Sequence, residues 1–126
     1  MRCLIDSQAL LWSLFDQRRL TALARAALAD PTNVIFVSPV SPYELEWKKA
    51  EGRLTFPDVP DWPSAVRVHG FFELAITLAH SQHASRLPAH HRDPWDRLLV
   101  AQAELEGLSL ISADRKLPAY GVGVIW

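Results

Sequence analysis

Short apolar runs alternate along this chain with longer segments in which apolar residues recur at helical spacing. Runs this short and this apolar are typical of strands that are buried on both faces, and helices between them are typical of a parallel sheet. The pattern therefore predicts an α/β fold with a short, mostly parallel central sheet. The predicted strands are Met1–Ile5, Val34–Val37, Leu74–Thr77, Leu108–Ile111 and, at the sheet edge, Val122–Ile125.

The helices that connect these strands carry start and stop signals. Ser41 fits an N-cap with Pro42 at the first helical position and Glu44 at the third, so that Ser41 and Glu44 would form a capping box. Asp93 and Asp96 hold the same cap and third positions around the start of the last helix. The predicted helices are Ser7–Phe15, Thr21–Ala29, Pro42–Glu51, Ser64–Gly70, Leu78–Arg86 and Pro94–Glu106.

The composition is that of one compact domain over residues 1–126. The chain has 126 residues, 49% of them hydrophobic, and a net charge of −1. This size supports a packed core, and the near-neutral charge argues against a protein whose whole surface binds nucleic acid, although it allows a local basic rim. No apolar run is long enough to span a bilayer, and Asp6 interrupts the apolar start in a way that a signal peptide would not. The single cysteine, Cys3, excludes an internal disulfide, and we expect a cytoplasmic protein.

Four carboxylates stand where predicted strands end or where the following helices begin. Asp6 directly follows the first strand, Glu44 follows the second after a short turn, and Asp114 follows the fourth. Asp96 opens the last helix. Because the carboxyl ends of parallel strands meet at one edge of a sheet, we expect these acids to converge on one crevice, where they repel one another unless a cation neutralises them. The sequence therefore predicts a hard-metal site suited to phosphoryl transfer or phosphodiester hydrolysis.

Each of these acids also has a purely structural explanation. Asp6 could serve as the cap of the helix that follows it and have no other role. Glu44 could likewise have no role beyond completing a capping box. Asp96 suits the positive end of a helix dipole, and Asp114 could cap a turn. We favour a metal role for these four because they form a set. Asp93 is chiefly a helix cap, with a supporting place in the metal site.

Basic and hydroxyl side chains follow the acids closely in sequence. Lys48, Arg97 and Arg115 have two interpretations, since they could grip phosphates at the rim of the crevice or form surface ion pairs that contribute little each. Lys48 is also spaced for a helical ion pair with the glutamate four residues before it. Ser112 could add a hydroxyl to the site. The histidine pair that ends at His91 is more typical of plain loop surface than of substrate contact.

No competing catalytic motif is present. The chain contains no G-x-S-x-G elbow, no P-loop and no dinucleotide-binding glycine motif. A few carboxylates suffice for Mg²⁺, which keeps several waters of its own. One or two such cations can activate a water, relieve the charge on a phosphate and stabilise a leaving oxygen.

The residues around these acids resemble those of PIN-domain proteins, specifically the VapC-type toxins of bacterial toxin–antitoxin pairs. The acids lie in the motifs L-I-D-S, S-P-Y-E-L-E-W-K, H-R-D-P-W-D-R and L-I-S-A-D, and the matching stretches span almost the whole chain in family order. Those stretches are Leu4–Trp12, Ser38–Lys48, Gly52–Leu54, Leu87–Ala103, Leu110–Asp114 and Tyr120–Trp126.

The resemblance implies a three-layer α/β/α sandwich and a Mg²⁺- or Mn²⁺-dependent endoribonuclease that acts on RNA. It also implies a homodimer and a small cognate antitoxin that inhibits by inserting a segment near the site. By position, the four catalytic, metal-binding acids of the family fall on Asp6, Glu44, Asp96 and Asp114. Asp93 corresponds to the extra acid of the D-P-x-D-R subgroup.

The chain departs from the family pattern directly after its first acid. Where Thr-His is common, this chain has Ser7 and Gln8. Ser7 keeps a hydroxyl that could contact substrate, whereas Gln8 removes a titratable group. Gln8 is therefore the feature that favours an alternative function, a catalytically impaired module with the same fold that binds RNA or a partner protein. A phosphate-accepting signalling domain is a third possibility, but the second strand is followed by Ser38 and Pro39 rather than by an acceptor aspartate.

Overall fold

The central sheet is parallel throughout. The computed structural model describes all 126 residues, and its five strands lie in the order β3-β2-β1-β4-β5 with parallel pairing at every step. This confirms the predicted parallel α/β sheet. The strands are β1 (Arg2–Ile5), β2 (Val34–Val37), β3 (Phe72–Glu73), β4 (Ser109–Ile111) and β5 (Val124–Ile125).

Six α-helices and two short 3₁₀ helices connect the strands. Thr21 caps the second α-helix as its sequence predicts, since its hydroxyl accepts a hydrogen bond from the backbone N–H of Ala24 at 3.1 Å. None of the helices combines the length and the apolar character that crossing a bilayer requires. The α-helices are α1 (Ser7–Phe15), α2 (Ala22–Ala29), α3 (Val40–Ala50), α4 (Trp62–Val68), α5 (Leu78–Ser85) and α6 (Pro94–Glu106), and the 3₁₀ helices are Gln17–Arg19 and Leu117–Tyr120.

The strand β1 sends alternate side chains to the two faces of the sheet, as the period of a strand requires. Cys3 and Ile5 pack on one face in a cluster with residues of α1 and α2. Leu4 packs on the opposite face in a second cluster, whose members include Leu99 of α6 and Leu110 of β4. The fold is therefore the expected three-layer α/β/α sandwich, and it places a crevice at the carboxyl edge of the sheet.

The position of that crevice follows from the strand order. The chain winds from β1 through β2 to β3 on one side and then crosses to β4 and β5 on the other. The winding direction therefore reverses between β1 and β4. Loops that leave two such strands separate in opposite directions and open a ligand-binding crevice.

The predicted third strand, Leu74–Thr77, is wrong in position. The strand is β3, Phe72–Glu73, and the apolar run after it continues as extended chain outside the sheet. Its carbonyls find a different partner, because the side-chain amide of the fully buried Gln102 donates to Leu74 O at 3.1 Å and to Ala75 O at 3.4 Å. The N–H of Leu74 still donates to Val37 O of β2 at 2.9 Å, and a side chain of α6 takes the carbonyls that a strand would have offered to a neighbour.

The predicted capping box of α3 is also wrong. The helix begins at Val40, and the hydroxyl of Ser38 accepts the hydrogen bond from the backbone N–H of Val40 at 3.2 Å. Pro42 is the third residue of α3 and is tolerated there because the first N–H groups of a helix have no intrahelical partner. Ser41 is buried instead, and its hydroxyl accepts a hydrogen bond from Ser7 Oγ at 3.0 Å. Glu44 is therefore free of a capping role.

Candidate functional site

Asp6 lies at the point where the winding of the sheet reverses. Its backbone N–H donates to Ile111 O of β4 at 3.0 Å, and its Oδ1 accepts a hydrogen bond from Ala9 N at 2.8 Å as the N-cap of α1. Its side chain is nearly buried, with 6% exposure for the residue. The structural explanation of Asp6 is thus correct, and it coexists with a position inside the crevice, since only one carboxylate oxygen serves the cap.

Burial raises the pKa of Asp6 to about 6. Hydrogen bonds from the Ser112 hydroxyl and from Ala9 N–H favour the charged form and oppose this shift, whereas repulsion from Glu44 and Asp114 adds to it. A carboxylate that is destabilised by burial and by like charges gains from a nearby cation.

Glu44 reaches the same crevice from α3 and is buried, with 6% exposure. Its Oε2 forms the predicted i,i+4 ion pair with the ammonium group of Lys48. Its Oε1 is buried without any hydrogen-bond partner. An acceptor that is removed from water and left unsatisfied costs free energy, so Glu44 has an oxygen available for a ligand.

Asp93 and Asp96 both lie at the start of α6, where Asp93 is the N-cap and Asp96 is a partly buried acid of the cleft. Asp93 is the N-cap, and its Oδ1 accepts from Trp95 N at 2.9 Å. Asp96 lies in the first turn of α6. Burial raises the pKa of Asp96 to about 7, with further contributions from the negative charges of Asp93, Asp6 and Glu44, while the nearby imidazole of His91 opposes the shift. Asp96 is thus a second destabilised carboxylate in the crevice.

Asp114 is held by the loop that follows β4. Its backbone N–H donates to Ser112 Oγ at 3.0 Å, and its Oδ1 accepts from Lys116 N at 2.9 Å. The turn-capping explanation is therefore also correct, but it uses only Oδ1. The second oxygen, Oδ2, lies 2.8 Å from Nε2 of His91.

His91 is the site residue that the sequence did not single out. Its Nε2 lies 2.8 Å from Asp114 Oδ2 and 3.0 Å from Asp96 Oδ2, and its side chain is only 12% exposed. The loop between α5 and α6 folds back over the carboxyl edge of the sheet and inserts the imidazole between two carboxylates from different elements. The available sequence signal was its position just ahead of the helix start that carries Asp96.

All the predicted acids line one cleft of about 290 Å³. Ser7, Gln8 and Lys48 line it as well, while Ser112 is buried, is not among the lining residues, and accepts a hydrogen bond from Asp114 N. Arg115 is exposed and is not among the lining residues. The full lining consists of Asp6, Ser7, Gln8, Glu44, Leu45, Lys48, Leu54, Asp93, Asp96, Ala113 and Asp114.

The structure gives Arg97 a role different from the predicted substrate contact. Its guanidinium donates to four backbone carbonyls of the chain between α5 and α6 and at the end of α5. A guanidinium with its donors engaged in this way has little capacity left to grip a phosphate. Arg97 instead holds the loop that carries His91. The four acceptors are Ala84 O at 2.9 Å, Leu87 O at 2.8 Å, Pro88 O at 3.0 Å and His91 O at 3.2 Å.

The arrangement of acids on a parallel sheet can be compared with known proteins. The family profile of the PIN domain matches residues 3–123 of this chain. The chain belongs to the PIN domain family. The resemblance noted in its sequence motifs is therefore confirmed.

Individual relatives of this PIN domain agree with that assignment. It is 29% identical over 119 residues to "Ribonuclease VapC22" of Mycobacterium tuberculosis, covering 93% of this chain and 90% of the relative. Its fold is similar to a chain of VapBC2 from Rickettsia felis bound to a DNA fragment from their promoter, with a TM-score of 0.66, 10% identity and coverage of 98% and 97% of the two chains. It is also similar to a chain of a toxin–antitoxin complex from Klebsiella pneumoniae, with a TM-score of 0.63, 21% identity and coverage of 98% and 96%.

The donor set of this PIN domain fits a hard divalent cation. The cleft offers carboxylate oxygens from four elements or loops of the chain, and one of them, Glu44 Oε1, is buried without a partner. Carboxylate oxygens of Asp96 and Asp114 lie within 4.8 Å of each other, which is close enough for both to contact one ion. Oxygen-rich sites of this kind suit Mg²⁺ or Mn²⁺ rather than a thiophilic metal.

Proposed function

We propose that this PIN domain is a Mg²⁺- or Mn²⁺-dependent endoribonuclease toxin that hydrolyses RNA phosphodiester bonds. The observation that carries the proposal is the convergence of Asp6, Glu44, Asp96 and Asp114 on one cleft, with an unpartnered buried oxygen among them. Such a cluster of ionised acids is unfavourable by itself, as the raised pKa values of Asp6 and Asp96 indicate. A cation removes that cost and makes the cleft reactive toward phosphates. The similarity to a VapC ribonuclease supports RNA as the substrate.

In this proposal the acids divide between holding the cation and positioning its surroundings. The ion is held, directly or through water, by Asp6, Glu44, Asp96 and Asp114, and Asp93 supports them from the helix start. A bound divalent cation supplies an activated water and relieves charge on the phosphate. Lys48 fixes Glu44 through their ion pair and adds positive charge at the edge of the cleft, where a phosphate would approach. Ser7 places a hydroxyl beside the same edge.

The proposed partners are RNA, a cognate antitoxin and a second copy of this chain, in the cytoplasm. One surface supports the homodimer. Tyr43, Trp47 and Trp95 form an aromatic patch with ring centroids 5.3 to 6.0 Å apart. Tyr43 is 60% exposed and Trp47 is 48% exposed. Exposed aromatic clusters are typical of protein interfaces, and this one adjoins the cleft because Tyr43 precedes Glu44 and Trp95 precedes Asp96.

The first test is RNA cleavage by the purified protein with and without Mg²⁺ or Mn²⁺, using total RNA so that transfer, ribosomal and messenger RNA are all offered. We expect cleavage that requires the metal and that Asp6→Asn lowers by at least a hundredfold, since a metal ligand is lost. Asp58→Asn is the matched control, because Asp58 is an exposed acid outside the cleft. This variant should cleave RNA at the wild-type rate.

The outcomes separate the candidate functions. Metal-independent cleavage, or full activity of Asp6→Asn, would contradict the proposal. A folded protein that binds RNA without cutting it would instead favour the binding module that Gln8 suggests. Arrest of bacterial growth on expression, relieved by the protein of an adjacent gene but not seen with Asp6→Asn, would support the toxin and antitoxin roles.

A further inference from the structure

The hydrogen bonds of His91 determine which ring nitrogen carries the proton. Its Nδ1 accepts a hydrogen bond from the backbone N–H of Asp93 at 3.1 Å, so the lone pair of Nδ1 is the acceptor and Nδ1 carries no proton. The proton must therefore be on Nε2. That nitrogen lies 2.8 Å from Asp114 Oδ2, to which the Nε2–H donates, and 3.0 Å from Asp96 Oδ2.

This tautomer is the wrong one for a metal ligand. A histidine that binds a metal offers the lone pair of one nitrogen and donates the proton of the other to an acceptor. If Nε2 of His91 bound the cation, the proton would move to Nδ1 and point at the N–H of Asp93, which is a donor. In its observed orientation His91 therefore competes with a cation for the two carboxylates and cannot join them in binding it.

We propose that His91 is a positioning residue that occupies the cation position in the metal-free protein and must rotate away when a divalent cation binds. The inference rests on the proposed metal-dependent function. The Nε2–H takes the place of the cation between Asp96 and Asp114, keeps these carboxylates close together, and lowers the affinity of the site for the ion. The nuclease is consequently inactive until the divalent cation concentration is high enough to displace a hydrogen bond donor.

The backbone of His91 is held on both sides, so the release is a side-chain rotation. Its N–H donates to Tyr120 Oη at 2.8 Å, and its carbonyl accepts from Arg97 Nη1 at 3.2 Å. These contacts do not involve the acids and can persist when the cation is bound. Rotation of the ring then costs only its own hydrogen bonds.

Calorimetric titration with Mn²⁺ tests the competition directly. We expect His91→Ala to bind Mn²⁺ about tenfold more tightly than the wild type, since one hydrogen bond to a charged group no longer has to be broken. His90→Ala is the matched control, because His90 is the adjacent, exposed imidazole and contacts Tyr120 rather than the acids. It should bind Mn²⁺ like the wild type. Asp96→Asn should bind far more weakly than either.

A second measurement uses the unaltered protein and so does not depend on the folding of a variant. Long-range ¹H–¹⁵N spectra of the histidine rings should show His91 protonated at Nε2 without metal. Addition of Mg²⁺, which is diamagnetic, should shift the Nε2–H signal as its carboxylate partners are lost. Coordination by His91 would instead produce an Nδ1-protonated ring.

Each result decides one question. Weaker or unchanged Mn²⁺ binding by His91→Ala, or an Nδ1-protonated ring in the loaded protein, would overturn the competition while leaving the metal site intact. Equal Mn²⁺ binding by the wild type and Asp96→Asn would instead overturn the proposed metal centre itself. Tighter binding by His91→Ala together with the Nε2-protonated ring would establish the inference.

Discussion

Asp6 is a residue whose ionisation opposes the folding of the metal-free protein. Its pKa is raised from an ordinary value of 3.8 to about 6 by burial. The folded state therefore holds the proton more tightly than the unfolded chain does. This stabilising contribution is complete below pH 3.8 and is lost as the pH rises through about 6. A shift of about two units corresponds to about 3 kcal/mol. The raised pKa of Asp96, about 7, acts in the same direction and extends the window upward.

We therefore expect the melting temperature of the wild type in chelator to fall between pH 4 and pH 8. Asp6→Asn should flatten this fall and melt higher than the wild type at pH 8, because asparagine keeps a capping oxygen without the charge. Thermal melts over this range measure the effect, and Mn²⁺ at pH 8 should raise the melting temperature of the wild type more than that of the variant. If the melting temperatures of the wild type and Asp6→Asn fell equally between pH 4 and pH 8, Asp6 would not be the group whose ionisation destabilises the metal-free protein.

The acids were predictable from the sequence and the histidine was not, for a physical reason. An acid within three residues of a strand end is kept near the sheet edge by the strand itself, so that Asp6 and Asp114 could be placed without knowing any contact. The position of His91 depends on how a loop folds back, and that path is determined by long-range hydrogen bonds to Arg97 and Tyr120. Such contacts leave no periodic signal in the sequence.

At the scale of elements, one side chain makes most of the long-range hydrogen bonds that hold the connection between α5 and α6. The guanidinium of Arg97 binds carbonyls at the end of α5 and in the loop, which presents His91 to the acids. The loop has no sheet or helix bonds of its own to replace these contacts. We therefore treat Arg97 as the residue that positions the loop over the cleft.

Arg97→Lys should loosen this connection, because an ammonium group cannot satisfy carbonyls in several directions as the planar guanidinium does. We expect a loss of about 1–3 kcal/mol in the free energy of unfolding and faster amide hydrogen exchange over residues 85–92. Arg92→Lys is the control, since Arg92 is exposed in the same loop. Unchanged exchange in Arg97→Lys would show that the loop is held by other contacts.

The elements that were misplaced share one cause. The segment Leu74–Thr77 has the composition of a strand, yet its carbonyls bind the side chain of Gln102. The start of α3 has two serines that could cap it, but its N-cap residue is Pro39. Ser38 accepts a hydrogen bond from the backbone N–H of Val40, while Ser41 is buried against Ser7. In both cases the local sequence was compatible with more than one backbone conformation, and tertiary contacts determined which one formed.

At the scale of the whole molecule, the order of strands and helices was enough to predict the fold class. Short, continuously apolar strands separated by helices have few arrangements other than a parallel sheet covered on both faces. The same pattern could not predict which apolar residues stay exposed. Trp47 and Tyr43 lie on the outward face of α3, and they pack against Trp95 rather than into either core cluster. The aromatic patch is therefore one apolar part of the surface that the folded monomer leaves exposed.

If this patch is the homodimer interface, Trp47→Ser should dissociate the dimer. Loss of a central aromatic residue costs about 2 kcal/mol or more, and a two-fold interface contains the change twice, so that about 4 kcal/mol raises the dissociation constant about a thousandfold. Sedimentation equilibrium over a range of concentrations measures this. Leu78→Ser is the matched control, because Leu78 is 90% exposed and lies on α5 outside the patch. Equal dissociation by both variants would place the interface elsewhere, and a wild type that is monomeric throughout would leave the patch free to stack RNA bases beside the cleft.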